Sequence, residues 1–152
     1  MSERSSIHDT FVIERTYDAG PQRVFAAWAE AEEKLRWFGS PDGHELDFRV
    51  GGHERFRAAL ESGDVYTYDA SYHDIVVDAR IVYSYEMHRN DDRISVSLST
   101  VEFAPAGDGT ALRYTEQGVF LDGHDTSAQR EHGTRELLEK LAGVVTHPGV
   151  GA

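Results

Sequence analysis

Between His44 and Phe120, apolar residues return at every second position in six successive stretches joined by links of only a few residues. Links that short force neighbouring strands to run antiparallel, because a parallel pair needs a long crossover. HELDFRV (44–50) sets Leu46, Phe48 and Val50 against Glu45, Asp47 and Arg49. Gly51-Gly52 then offers a turn in which both residues can take positive φ. Further strands are expected over 53–60, 65–76, 80–88, 93–103 and 110–120, with turn chemistry at Ser62-Gly63-Asp64, Asn90-Asp91-Asp92 and 104–109. Within 93–103 the apolar parity changes, from Ile94, Val96 and Leu98 to Val101 and Phe103. A β-bulge near Ser99 would produce that change and bend the sheet.

The flanks follow other rules. TFVIERTY (10–17) alternates and reads as a seventh strand. After Asp18-Ala-Gly, Pro21 suits a first helical position. Val24, Ala27, Trp28, Ala31 and Leu35 then form a helical stripe as far as Phe38, read as two short helices, with one bent helix as the alternative. Thr126 with Gln129 fits a capping box. From there Thr134, Leu137, Leu138, Leu141, Val144 and Val145 predict one helix over 126–145, about 30 Å long. The order strand, helices, six strands, long helix gives an α+β class. The expected architecture is a curved seven-stranded antiparallel sheet around a long C-terminal helix. One domain is expected over 1–152, with a core at about 9–145, flexible N-terminal residues and a C-terminal tail.

Composition narrows the function classes. There is no cysteine, which excludes disulfides and thiol chemistry. With 15 basic and 27 acidic residues the net charge is −12, a surface that repels phosphate backbones and anionic lipid. No nucleic-acid or membrane partner is expected. No stretch is apolar enough to span a bilayer, and MSERSSIHD lacks a signal-peptide core, so a cytoplasmic location is expected. The eight histidines form no metal-ligand pattern, and neither metal nor cofactor is expected.

The segments RVFAAW…LRWFG (23–39), DFRVGG (47–52), YHDIVVDARIVYSYEM (72–87), GTALRYTEQGVFLDG (109–123) and REHGTRELLEKL (130–141) occur in that order. As an ordered set they resemble the SRPBCC (START-like) superfamily, in its activator of heat-shock protein 90 ATPase homologue (AHSA-type) branch. The resemblance covers about residues 9–145. It implies a helix-grip fold with an internal cavity, usually without metal, often in a homodimer. Two positions depart from the pattern: Thr134 follows Gly133 where bacterial relatives often carry Trp, and Val77-Asp78 stands where a tandem Pro is common. The eukaryotic co-chaperones carry a further chaperone-binding domain, for which this chain is expected to have no room.

Candidate site residues come from faces that two periods bring together. Gly133, Thr134 and Arg130 share the helical stripe of Leu137 and Leu141. A core-facing Arg needs a carboxylate or an anionic ligand. Glu116 shares its parity with Leu112 and Tyr114, and so offers the carboxylate. Alternatively, the Arg130 head snorkels to water. Tyr66, Tyr68 and Tyr72 share one face of their strand, and Tyr83 and Tyr85 one face of the next. These are ordinary cross-strand packing or a polar lining for a cavity. The candidate cavity set is Tyr68, Tyr72, Tyr83, Tyr85, Tyr114, Glu116, Arg130, Thr134 and Leu137, with no catalytic residue assigned. The leading expectation is a binding domain for a small apolar or aromatic molecule bearing a polar group. The alternatives are a cyclase- or dehydratase-like enzyme using Glu or Tyr as acid/base, and a co-chaperone-like interaction domain.

Overall fold

The alternating stretches assemble into one seven-stranded antiparallel sheet, which the computed structural model describes within residues 4–146. The elements are β1 (Ser6–Tyr17), α1 (Pro21–Ala29), α2 (Ala31–Lys34), β2 (Glu45–Leu46), β3 (His53–Ala59), β4 (Val65–Val76), β5 (Arg80–Arg89), β6 (Asp92–Ala106), β7 (Gly109–Leu121) and α3 (Ser127–Thr146). Strands β2 to β7 form a meander, and β1 returns to pair with β7. This is the helix-grip arrangement. Thr146, the expected first residue of the tail, instead ends α3, and the rest of that tail lies outside the described residues, as do residues 1–3. Among the described residues no helix is long and apolar enough to cross a membrane.

Helix α3 is capped at its start and bonded to β1 and α1 along its second half. The Thr126 hydroxyl accepts from the Gln129 backbone N–H at 3.1 Å, which caps the first turn. In the second half the Tyr17 hydroxyl of β1 donates to the Leu138 carbonyl at 2.9 Å, and Arg23 of α1 donates to the Val144 carbonyl at 3.2 Å. The buried stripe is Thr134, Leu138, Leu141, Val144 and Val145. Leu137 is only partly buried and Gly133 is exposed, though both face the space between helix and sheet. The face is therefore rotated by a fraction of a turn from the one centred on Leu137.

Two further expectations change. The stretch 44–50 pairs only at Glu45–Leu46, because the chain then folds on itself: the Gly52 N–H donates to the Arg49 carbonyl at 2.8 Å. Gly51 has φ of 86°, whereas Gly52 is needed for close approach, since a Cβ there would lie 2.0 Å from the Asp47 carbonyl oxygen. The irregularity in β6 falls not at Ser99 but near its start, where Met87 pairs with Ser95 and His88 with Arg93, leaving Ile94 as the extra residue. From Ser95 onward the inward residues are Ser95, Ser97, Ser99, Val101 and Phe103, and Val96 and Leu98 face out. Asp78 has φ of 62°, which a proline ring cannot adopt, so the departure at Val77-Asp78 belongs to a different turn.

Candidate functional site

Sheet curvature and helix α3 leave a cavity of about 400 Å³ between them. Trp28 and Trp37 come from the α1–α2 region, Phe56 and Ala58 from β3, and Tyr68, Tyr83, Tyr85, Met87 and Tyr114 from the sheet. Asp125, Gln129, Arg130, Thr134, Leu137 and Leu138 close it from the helix side, and Phe38 and Gly39 from the loop after α2. Seven of the nine candidate residues thus surround one space. Tyr72 and Glu116 do not line it. Tyr72 belongs to a second polar cluster, and Glu116 sits behind the rings of Tyr85 and Tyr114.

The end wall is a closed hydrogen-bond network. Tyr85 and Tyr114 each donate to Glu116 at 2.7 Å, one on each carboxylate oxygen. Arg130 donates to the Tyr85 hydroxyl at 2.8 Å, to Glu116 at 3.4 Å, to Ser95 at 2.8 Å and to Asp125 at 2.9 Å. Four of the five N–H groups of the guanidinium are engaged. Burial works against its charge, yet Tyr85, Glu116 and Asp125 more than offset this and hold its pKa above the ordinary arginine range. Burial first, and the Glu116 carboxylate beside them, push the Tyr85 and Tyr114 hydroxyls well up, so both remain phenols and donors at neutral pH. Two of the three inward serines of β6 belong to this network, while the buried Ser97 hydroxyl has no partner among the described residues. Ser95 serves Arg130, and Ser99 meets the Tyr114 hydroxyl at 3.0 Å. Arg130 does not snorkel to water, because protein groups occupy four of its five donors.

A second polar cluster went unnoticed in the sequence. Lys34 and Glu54 are 1% and 0% exposed and meet at 2.5 Å. His44 meets the other Glu54 oxygen at 3.0 Å, and the Tyr72 hydroxyl donates to Glu54 at 3.4 Å. The ammonium also lies 4.5 Å from the Phe38 ring centre and 5.4 Å from that of Trp28. One carboxylate therefore holds both ends of the segment 34–44, whose Trp37, Phe38 and Gly39 form a cavity wall. The signal was present: Ala27, Ala31 and Lys34 stand at i, i+4 and i+7 on the apolar stripe of α1–α2. In the cavity wall the Tyr68 hydroxyl and Trp28 Nε1–H are buried with no hydrogen-bond partner among the described residues. Nor do the described residues contain a group of three or more His, Asp or Glu able to hold a metal ion.

A family model described as Activator of Hsp90 ATPase homolog 1-like protein matches residues 18–146. The chain is 51% identical to the Mll3558 protein from Rhizobium loti, covering 92% of this chain and 99% of that one with a TM-score of 0.88. It is 44% identical to a protein from Rhizobium leguminosarum, covering 95% and 99% with a TM-score of 0.92. CalU16 from Micromonospora echinospora is 18% identical, covering 97% and 88% with a TM-score of 0.65, a likeness of fold alone. No curated protein matches the chain.

Proposed function

The chain belongs to the family of Activator of Hsp90 ATPase homolog 1-like proteins, and from that premise we propose that it binds a small apolar or aromatic molecule bearing a polar group. The observation that carries this reading is the cavity of about 400 Å³, which lies in the range of small-molecule sites and is walled mainly by aromatic side chains. Thr134 supports it, since a side chain this small on the buried stripe leaves the space open. The unmade hydrogen bonds of Tyr68 and Trp28 give a reason for a polar group on the occupant. The acid/base alternative finds less support, because Glu116 is buried behind Tyr85 and Tyr114 and does not line the cavity.

The test uses the neutral fluorophore N-phenyl-1-naphthylamine and the variant Thr134→Trp, which fills the cavity. The wild-type protein should bind the probe and the variant should lose it with its circular dichroism unchanged. Undiminished binding by a folded variant would place the probe elsewhere and end this reading. Native mass spectrometry of freshly purified protein would then identify any co-purifying molecule.

A further inference from the structure

Resting on that reading, we infer that the cavity selects its occupant by charge, taking a protonated amine on an aromatic body and rejecting carboxylates. Asp125 and Arg130 are the charged groups of the lining. The positive charge of Arg130 is met by two carboxylates, Asp125 at 2.9 Å and Glu116 at 3.4 Å. An acid entering the cavity finds one N–H of Arg130 uncommitted and two negative charges against it. The pair Lys34–Glu54 behind the opposite wall adds no net charge. Arg89, which meets His124 at 3.1 Å, does not line the cavity.

A cation finds the reverse. Each Asp125 oxygen accepts one bond, from Arg130 and from the Thr126 N–H, and a carboxylate oxygen has room for another. Eight of the lining side chains are aromatic, and ring faces attract ammonium groups. The protein itself uses this attraction, holding the Lys34 ammonium against Phe38 and Trp28, two rings of the same wall. The geometry therefore places an ammonium group by Asp125 at the helix end of the cavity, with its apolar body among the rings.

Three ligands of matched size separate the outcomes: 1-naphthylmethylammonium, 1-naphthylmethanol and 1-naphthoate, each displacing N-phenyl-1-naphthylamine at neutral pH. The ammonium should compete at a concentration at least about tenfold below the naphthoate, with the alcohol between them. Asp125→Asn should shrink the gap between cation and anion by about tenfold and leave the alcohol unchanged. A naphthoate that binds as well as the ammonium overturns the inference, as does a gap that Asp125→Asn leaves intact. If that variant does not fold, the order of the three ligands on the wild-type protein decides alone. A probe that never binds defeats the cavity reading itself. A probe that binds while the three ligands compete equally defeats only the charge selection.

Discussion

Arg130 of α3 and Glu116 of β7 face one another at 3.4 Å, with the Tyr85 hydroxyl bonded to both. The pair is buried, Glu116 almost completely, so its members are expected to depend on each other. In a double-mutant cycle on Arg130→Met and Glu116→Gln, a coupling of about 0.5–3 kcal/mol should appear in urea unfolding. Glu116→Gln alone should cost about 1–3 kcal/mol, since two tyrosine donors lose a charged acceptor. A coupling of zero would show that the contact contributes nothing to stability.

Lys34 and Glu54 should behave differently, because solvent reaches neither. Lys34→Met leaves a buried carboxylate and should destabilise by about 3–5 kcal/mol. Adding Glu54→Leu removes the orphaned charge, so the double variant should be less destabilised than the sum of the singles. Strict additivity in chemical denaturation would mean that the two groups do not compensate one another.

The rotated face of α3 predicts a contrast between neighbours. Leu141→Ala opens a hole under a fully buried side chain and should cost about 2–5 kcal/mol. Leu137→Ala, at the cavity rim, should cost less than half as much. Equal losses in melting experiments would return Leu137 to the centre of the stripe.

Six of the seven tyrosines, Tyr17, Tyr68, Tyr72, Tyr83, Tyr85 and Tyr114, are raised above their ordinary value, chiefly by burial. The unfolded chain releases these protons from about pH 10 while the folded chain keeps them. The unfolded state then binds fewer protons, so stability is complete below that pH and falls as pH rises past it. The phenolate absorbance of the six should appear in one cooperative step, together with loss of near-ultraviolet dichroism. A gradual rise with the fold intact would contradict their burial.

Periodicity made the fold legible because each element buries one face. Leu112, Tyr114 and Glu116 were placed by counting in twos, and Arg130 by counting along a helix. The same counting failed on β6, where Val96 and Leu98 are apolar yet face out. The inward places go to Ser95 and Ser99 because Arg130 and Tyr114 need partners there, a demand set by other elements. Lys34 was missed for a different reason. Its position on the stripe was visible, but its partner Glu54 lies across a turn whose path the sequence did not reveal.

Both ends of the segment 34–44 end on the two oxygens of one side chain, Glu54. A strap buckled twice to the same rivet cannot be lifted from one end alone without straining the other. Residues 35–43 are therefore expected to open as one cooperative unit, with hydrogen exchange of their amides rising together when either contact to Glu54 is removed.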